Sequence, residues 1–366
     1  MIIEERERSV FHRLWASGPV NRLELAREIG LTPNAAGNLV NAMIRRGLLR
    51  DGTPAQKGRG RPTIPVEIDA TRRQVLGLSL SQGRVQTASL NLRGQVLEPP
   101  EVKGALEPKT LIRTAQRMLA KALGAEHLAV GLSVTGFADP QHRRLLLSSA
   151  LAGLPEGDLS PLFAAAGKTP VLLQNDMHAL AARWLLTQPA DPHEDLLLVL
   201  LADGQVGATM LIGGTPNAGC VLGGSELGHM RFPVATDRCY CGQTGCLERI
   251  FCSEFGRARL GFVGELSANL EAYEGRKGPV AELIALVAAG LANVSNFVRP
   301  HRLVIVSPYT RHAVFANDLL KRTRELLLGV LAERVRIDLW EQPAASPAET
   351  AGFLPLAAMC LDGWAQ

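Results

Sequence analysis

Two short stretches decide the fold of this chain: SELGHM at residues 225–230 and CYCGQTGCLE at residues 239–248. They bring one histidine and three cysteines close together in sequence, namely His229, Cys239, Cys241 and Cys246. Three thiolates and an imidazole form a ligand set that holds Zn²⁺ tetrahedrally. Because four protein ligands leave no open coordination position, the spacing predicts a structural zinc and not a hydrolytic one. The alternative is a group of buried free cysteines.

The remaining cysteines and the composition support this interpretation. Six cysteines in 366 residues are too few for a disulfide scaffold. In a reducing compartment, a cluster of cysteines indicates metal binding before disulfide formation. Gly242 and Gly245 allow the backbone to turn tightly enough for the three sulfur atoms to converge.

The overall composition is that of a globular protein with two or three domains. Hydrophobic residues make up 46% and charged residues 20% of the chain, which excludes wholesale disorder and collagen-like repeats. No uncharged apolar stretch reaches the ~18–20 residues of a membrane helix. The N-terminus, MIIEERERSV, is charged where a signal peptide needs an apolar core. We therefore expect a cytoplasmic protein without a membrane partner.

The net charge of +4 is unevenly distributed along the chain. Residues 1–66 carry eleven Lys or Arg and six Asp or Glu, so this segment has a charge of +5 and the rest of the chain −1. A small basic segment on a neutral body suggests an anionic polymer as its partner. An ordinary solvated charged surface is the alternative.

The basic segment has the pattern of a helix-turn-helix. A helix over 3–17 ends at Gly18, and a second helix ends at Gly30, which suits the left-handed position after a helix. Thr32 and Pro33 are a cap and a first-turn proline, so a third helix begins there and runs to about Arg46. This third helix would enter the major groove of DNA.

Exposed positions of the third helix are the candidate DNA contacts. Asn34, Asn38 and Asn41 can pair with adenine edges, and Ala35 can contact a thymine methyl group. Gly37 is expected to be a further exposed position on the same part of the helix. Arg45 and Arg46 are placed to contact phosphates. The following segment, DGTPAQKGRGRPTIPVEID, predicts a basic wing in which Pro62 and Pro65 limit strand pairing. Its tip, with Lys57, Arg59 and Arg61, suits a narrow minor groove, although a flexible linker has a similar composition.

Beyond residue 71 the chain alternates strands with helices, which predicts an α/β body in two lobes. Strands are expected at 128–134, 170–174, 195–201, 206–212 and 302–306. Helices are expected at 110–123, 176–187, 279–298, 313–332 and 349–364.

The paired motifs around His229 and Cys239 resemble the signature of the ROK family, which comprises repressors, open reading frames and sugar kinases. VGLSVTGFAD at 130–139 and the Asn175-Asp176 pair are similar to further family segments. The resemblance implies an actin-like, ribonuclease-H-like body of two lobes in which ATP and sugar meet in a cleft. It divides the chain into a winged helix-turn-helix (1–68), a first lobe (69–190) and a second lobe (191–366), with the C-terminal helix returning to the first lobe.

The three nucleotide-contacting turns of the family kinases are altered in this chain. The first, Asp-x-Gly-Gly-Thr, corresponds to residues 79–83, where Ser79 replaces the aspartate and Ser81 and Gln82 replace both glycines. The second, Gly-Thr-Gly, corresponds to residues 203–205, where Asp203 would repel phosphate. The third, a glycine-rich turn, corresponds to Ser307-Pro308-Tyr309. We therefore expect neither ATP binding nor kinase activity, and we expect Asp176 to be a vestigial catalytic base or a helix cap.

The sugar side of the site keeps more of the family residues. The resemblance places Asn175, Asp176, Glu226, His229 and Glu248 around sugar hydroxyls, although Ala150 replaces an asparagine that usually contacts the sugar. His229 could bind zinc through one ring nitrogen and an effector through the other. For Glu226 and Glu248 the alternative is an ion pair or a backbone cap.

Together these features predict a DNA-binding transcriptional regulator, a repressor of carbohydrate genes, with a degenerate sugar kinase as its sensor. Its expected partners are an operator duplex, a small carbohydrate and further copies of itself in a dimer or tetramer. An active sugar kinase with a fused DNA-binding segment is the competing interpretation. Control by a regulatory protein that docks on the body is a third.

Overall fold

The computed structural model describes residues 2–54, 63–81, 83–148, 157–188, 191, 193–217, 225–341 and 345–364. Contacts between residues divide the chain into two compact units. The first unit comprises Met1–Ala190 and Ala345–Gln366, and the second comprises Asp191–Ala344. The predicted DNA-binding segment, 1–68, is here called the head, and it lies in the first unit together with the first predicted lobe.

The head consists of three helices and a small antiparallel sheet. Its elements are α1 (Glu5–Ser17), β1 (Val20–Asn21), α2 (Arg22–Glu28), α3 (Pro33–Arg45), β2 (Leu49–Asp51) and β3 (Pro65–Ile68). The strand order is β1-β3-β2. Pro65 is the first residue of β3 and lies opposite Asn21, so it takes part in the sheet only where the strand starts, and Pro62 lies outside the described residues. The first position of a strand tolerates proline, which has no N–H to donate.

The local signals that were read from the sequence explain the helix ends of the head. The side chain of Thr32 accepts a hydrogen bond from Ala35 N (3.3 Å), and Pro33 is the first residue of α3. Gly18 and Gly30 have positive φ angles of 74° and 68°, which glycine adopts without strain. Ala36, Val40 and Met43 are fully buried, as the spacing predicts.

The rest of the first unit is built on a five-stranded mixed sheet. In chain order, its elements are β4 (Gln74–Ser81), β5 (Arg84–Asn91), β6 (Glu101–Lys103), α4 (Pro108–Ala122), β7 (His127–Val134), β8 (Phe137–Asp139), β9 (Arg144–Leu147), β10 (Gly157–Asp158), α5 (Ser160–Ala166), β11 (Val171–Asn175) and α6 (Asp176–Thr187). The main sheet has the order β11-β7-β4-β5-β6, and β8 to β10 form a separate small sheet. Parallel pairing of β11, β7 and β4 brings their carboxyl ends to one edge, where α6 begins.

The second unit is built on another five-stranded sheet, ordered β14-β13-β12-β15-β16. Its elements are β12 (Leu196–Ala202), β13 (Gln205–Ile212), β14 (Thr215–Pro216), a 3-10 helix (Leu227–His229), α7 (Leu247–Ile250), α8 (Ser253–Phe255), a π-helical turn (Gly256–Leu260), α9 (Leu266–Glu271), α10 (Pro279–Val298), β15 (Arg302–Ser307), α11 (Ala313–Leu326), α12 (Gly329–Arg334) and β16 (Arg336–Glu341). The helix expected over 313–332 is therefore two helices. The side chain of Asn296 donates to Leu326 O (3.3 Å) and accepts from Leu328 N (2.9 Å), so these contacts stabilise the break.

The last two helices, α13 (Pro347–Ala351) and α14 (Phe353–Cys360), belong to the first unit. They pack directly on its sheet at Gly77 and Gly131. A Cβ atom on Gly77 would lie 1.8 Å from Ala348 O, and one on Gly131 would lie 2.0 Å from Ala351 O. Only glycine allows the helix backbone to approach the sheet this closely.

Among the described residues, α10 is the one helix that is long and apolar enough to cross a membrane. More than half of its most apolar window is buried inside the protein. Ile284 and Leu291 are among its fully buried residues and belong to the core of the second unit. The helix therefore has the burial of a core helix, and core helices can be as long and apolar as membrane helices.

Candidate metal centre and nucleic-acid interface

The four predicted metal ligands converge in the second unit. One ligand atom from each of His229, Cys239, Cys241 and Cys246 lies within 4.8 Å of all the others. The Cys241 and Cys246 sulfur atoms are 3.6 Å apart, and Cys239 Sγ is 3.7 Å from His229 Nδ1. Tetrahedral zinc with Zn–S ≈ 2.3 Å and Zn–N ≈ 2.0 Å places two sulfur atoms ~3.8 Å apart and a sulfur and a nitrogen atom ~3.5 Å apart. The two measured separations are close to these values, so the four side chains could hold a metal ion with His229 Nδ1 facing it.

Two glycines make the tight loop around the cluster, as the sequence suggests. Gly242 and Gly245 have φ angles of 90° and 79°. A Cβ atom on Gly245 would lie 2.5 Å from Phe232 O, so a side chain there would push two backbone segments apart. The loop thus needs glycine both for conformation and for close approach.

The protonation of the thiols is affected by their packing. Burial, together with hydrogen bonds that the Cys246 thiol makes to the sulfur atoms of Cys241 and Cys239, raises the pKa of Cys246 to about 12. Burial also raises the pKa of Cys239. Metal binding requires thiolates, so a bound ion must displace these protons.

The outer nitrogen of His229 has partners that sequence reasoning did not identify. Nε2 lies 3.1 Å from the Tyr240 hydroxyl and 3.6 Å from Glu226 Oε2. The Tyr240 ring meets the His229 ring edge-on, with centroids 5.2 Å apart. A histidine that binds metal through Nδ1 donates its Nε2–H to an outer partner. The position of Tyr240 between two predicted metal ligands, Cys239 and Cys241, is the sequence signal that could have identified it.

The third helix of the head presents most of its predicted DNA contacts to solvent. Asn34, Asn38, Asn41 and Arg45 are exposed. Ala35 and Gly37 are half-buried between them. The spacing of Asn34, Asn38 and Asn41 is that of one helix face, opposite the buried face of α3.

Arg46 differs from Arg45 in its surroundings. Its guanidinium forms an ion pair with Glu7 and donates to Ile2 O (3.0 Å). Glu7 is only 4% exposed, so this pair connects α3 to the start of α1. The geometry gives Arg46 a structural contact inside the head while its side chain stays exposed, so the phosphate contact expected for it remains a prediction. Lys57, Arg59 and Arg61 lie outside the described residues.

The predicted effector residues of the first unit lie where α6 begins. Asn175 caps the helix, because its Oδ1 accepts from Met177 N (2.8 Å) while its Nδ2 donates to Gly136 O (2.8 Å). Asp176 therefore does not have the capping role that was its alternative. Its carboxylate accepts a hydrogen bond from the Thr135 hydroxyl (2.7 Å). Burial raises the pKa of the Asp176 carboxyl, and this hydrogen bond opposes the shift.

The remaining predicted effector residues lie in the second unit. Glu226 precedes the 3-10 helix that carries His229, and Glu248 lies on α7. Gly228 packs tightly there, since a Cβ atom would lie 3.1 Å from Glu248 Oε2. Ala150, the missing amide, lies outside the described residues.

Two of the altered nucleotide positions have structural roles in the second unit. Asp203 Oδ1 accepts from Ser253 N (2.8 Å), and its Oδ2 accepts from the Ser253 hydroxyl. That hydroxyl accepts from Leu266 N (2.7 Å). Tyr309 is 8% exposed, and its ring centroid lies 6.1 Å from that of Phe251. The Asp203 carboxylate and the Ser253 hydroxyl thus link the turn after β12 to the starts of α8 and α9. In the first unit, Ser79 is buried, and Gln82 lies outside the described residues.

The chain belongs to the ROK family, whose model matches residues 76–358. This match confirms the resemblance that was drawn from the motifs around His229 and Cys239.

The relatives of the chain include regulators. The DNA-binding transcriptional repressor Mlc of Escherichia coli K12 is 23% identical over 250 residues, covering 66% of this chain and 61% of Mlc. The dual regulator NagC of the same organism is 23% identical over 254 residues, with the same coverage.

A xylose repressor of Caldicellulosiruptor bescii is 21% identical over 345 residues, covering 84% of this chain and 83% of that protein. The matches to Mlc and NagC span 61% of the length of those relatives.

Solved structures confirm the two-lobed actin-like α/β body. A ROK family transcriptional regulator, described as a homologue of E. coli Mlc, has a TM-score of 0.76 at 19% identity, covering 97% of each chain. A ROK glucokinase from Streptomyces griseus, in complex with glucose and AMPPNP, has a TM-score of 0.61 at 17% identity. That match covers 78% of this chain and 99% of the glucokinase. At these identities the similarity shows the fold.

Proposed function

We propose that this protein is a DNA-binding transcriptional repressor of carbohydrate genes, with a sugar-kinase-like body that senses an effector. The observation that carries this proposal is α3 of the head, whose buried face is apolar and whose exposed face presents Asn34, Asn38 and Asn41. Such a helix fits the major groove, where asparagine pairs with adenine. The relatives Mlc and NagC are DNA-binding regulators by name, which supports the same role here.

The head has the elements of a winged helix-turn-helix. Helices α2 and α3 are joined by a short turn through Gly30, and β2 and β3 pair on either side of the predicted wing tip. Two such heads on a homodimer would read a pseudo-palindromic operator, and a tetramer would join two operators. Mapping the bound sites across the genome tests this proposal, and the neighbouring genes would indicate the effector. Failure to enrich any site from the genome would contradict it.

The cofactor that we propose is one structural zinc per chain. His229, Cys239, Cys241 and Cys246 supply all four ligands. Bound zinc would supply folding energy to the loop of residues 229–246 and would leave no position for a reacting water.

The sensor role is proposed from an asymmetry between two sets of positions. The residues assigned to the sugar keep their carboxylate, amide and imidazole groups, which suit hydroxyls that both donate and accept. Two of the positions assigned to the nucleotide, Asp203 and Tyr309, have structural contacts with Ser253 and Phe251. A protein that had lost ATP binding but kept effector binding would retain the sugar-contacting residues and not the nucleotide-contacting ones.

Incubation with ATP and Mg²⁺ is expected to cause no change in melting temperature and no phosphorylation of hexoses. The reason is that Ser81 has a side chain where phosphate needs bare backbone, and Asp203 is a carboxylate held in place by Ser253. A coupled ADP-release assay with glucose, N-acetylglucosamine and N-acetylmannosamine measures this, with a ROK glucokinase as the positive control. Turnover comparable to that control would favour the second candidate function, an active kinase with a fused head. That candidate is supported by the retained Asp176 and by the kinase fold.

The Asp176→Asn variant is expected to lose the sugar response. The variant keeps the size of the side chain but removes the charged acceptor, which should weaken effector binding by about tenfold or more, since hydrogen bonds to charged groups contribute ~1.5–3 kcal/mol. Burial raises the pKa of this carboxyl, so effector affinity should fall as pH decreases through that raised value. Thermal shifts with a sugar panel, measured at several pH values, test both expectations.

The matched control is Asp139→Asn, because Asp139 is a carboxylate of the same unit that pairs locally with His142. An unchanged sugar response in Asp176→Asn would contradict the assignment of Asp176. If no sugar in a broad panel changes melting or operator binding of the wild-type protein, a regulatory protein becomes the better candidate for the effector.

A further inference from the structure

Helix α6 connects two regions of the first unit that the proposed function uses separately. It begins at the Asn175 cap and Asp176, where the effector is proposed to bind. Its last turn reaches the head, where Leu186 O accepts a hydrogen bond from the indole Nε1 of Trp15 (2.9 Å). A helix of this length, Asp176–Thr187, spans ~18 Å at 1.5 Å per residue.

The contact at the end of α6 has a clear physical basis. The last four carbonyl groups of any helix lack a partner within the helix, and Leu186 O is one of them. The indole N–H of Trp15, a residue of α1, supplies that partner. A hydrogen bond weakens steeply beyond ~3.5 Å, so a shift of α6 by less than ~1 Å would break this one.

Trp15 has a second contact over the face of its ring. The Arg93 guanidinium lies over its ring, 5.4 Å from the centroid, and donates to Leu14 O (3.2 Å) and Trp15 O (3.4 Å). A further contact fixes α1 on α14, because Arg8 donates to Ala358 O (3.1 Å). The indole bond is thus the point at which a movement of α6 would act on α1, while Arg93 and α14 hold α1 at other points.

The seam between α6 and α14 contains an incompletely paired cation. Arg183 lies on α6 with its guanidinium over the Phe353 ring of α14, 5.3 Å from the centroid. Within the described part of the chain, its Nε and Nη1 are buried without a hydrogen-bond partner. Burial lowers the pKa of Arg183. Glu349 on α13 is near enough to oppose part of that shift. A buried cation without full hydrogen bonding costs free energy, so this seam is less tightly paired than an apolar one would be.

We propose that α6 transmits occupancy of the effector site at Asn175 and Asp176 to the head, through the hydrogen bond between Leu186 O and the Trp15 indole. The proposal rests on the proposed function, because it takes the effector site and the DNA-binding head from there. Effector binding shifts α6 along its axis, the indole contact changes, and the head changes its orientation on the first unit. The coupling needs only that the effector prefers one position of α6.

The first experiment needs no effector. The full-length protein with ¹⁵N-labelled tryptophan has four tryptophans, and the Trp15→Phe variant identifies the Trp15 indole signal in its NMR spectrum. The Asn175→Ala variant removes the cap and the contact with Gly136 at the opposite end of α6. We expect this variant to shift the Trp15 indole signal and to leave that of Trp340, which lies in the second unit, in place. An unmoved Trp15 signal would overturn the proposal.

The second experiment uses the probes D-glucose, D-xylose and N-acetyl-D-glucosamine on operator sites recovered by genomic mapping. Trp15→Phe keeps the ring but loses the N–H donor. Operator affinity without sugar should stay within about threefold of wild type, while the sugar-dependent change should be lost. Arg13→Gln is the matched control on α1, because Arg13 pairs with Glu28 inside the head.

The two experiments separate the inference from the function on which it rests. If wild-type protein binds no operator, the proposed function fails, whatever Trp15 does. If wild-type protein responds to a sugar and Trp15→Phe responds equally, the proposed function stands and the inference is overturned. If no sugar of the three acts on wild type, the NMR comparison of Asn175→Ala decides the inference alone.

Discussion

Replacing Cys241 by serine is expected to remove the bound metal and unfold the loop of residues 229–246, with partial loss of the second unit. The reason is that a structural zinc contributes its binding free energy to folding, ~10–16 kcal/mol in small zinc domains at neutral pH. Cys246 and Cys239 are buried, so they would be left as thiols without a metal partner. Elemental analysis should fall from one zinc per chain towards zero, and thermal unfolding should begin at a lower temperature.

The matched control is Cys252→Ser, because Cys252 is a buried cysteine that lies outside the four-ligand cluster. That variant should keep its zinc even if its stability decreases. Zinc occupancy of the wild-type protein should also fall as pH decreases, since burial raises the pKa of Cys246 to about 12 and protons compete with the metal for the thiolates. Metal-replete wild-type protein without zinc would contradict the site, and so would a Cys241→Ser variant with full occupancy.

Simultaneous replacement of Asn34, Asn38 and Asn41 by alanine is expected to abolish operator recognition while the head stays folded. All three side chains are exposed on α3, so their loss removes no core packing. A bidentate contact between asparagine and adenine contributes ~1–3 kcal/mol of discrimination, so loss of all three contacts lowers specific affinity by about 150-fold or more. Fluorescence anisotropy with operator and random duplexes measures the specific and the non-specific DNA affinity separately. Equal operator affinity in the triple variant would exclude α3 as the reader.

Arg45 and Arg46 form a matched pair for the phosphate contacts. Arg45→Ala should weaken binding to all duplexes and reduce the salt dependence by about one counterion. Arg46→Ala should instead lower the melting temperature of the head, because Glu7 would lose its ion-pair partner. If both variants changed the salt dependence equally, the structural role of Arg46 would be wrong.

Much of the local structure could be predicted because its causes lie within a few residues. The boundaries expected for α6 and α10, 176–187 and 279–298, agree with the structure. Caps and breakers such as Thr32 and Gly18 act on their own neighbours. The break between α11 and α12 could not be predicted in this way, because Asn296 stabilises it from another helix.

The same distinction applies to the candidate sites. Residue spacing alone identified His229, Cys239, Cys241 and Cys246, because four metal ligands on one short loop must converge if they bind one ion. The sequence likewise determined the buried face of α3, the α/β body and membership in the ROK family. Each of these depends on periodicity or on short motifs, which a linear chain displays directly.

Only the tertiary structure decided what certain polar side chains do. Arg46 pairs with Glu7, Asp203 holds Ser253, and Trp15 donates to Leu186 O. Each partner is far away in the sequence, and no propensity or spacing rule relates the two positions. The physical reason is that a charge or an N–H group is satisfied by whichever group the fold brings within ~3 Å, so its role depends on packing between elements and not on its own neighbours.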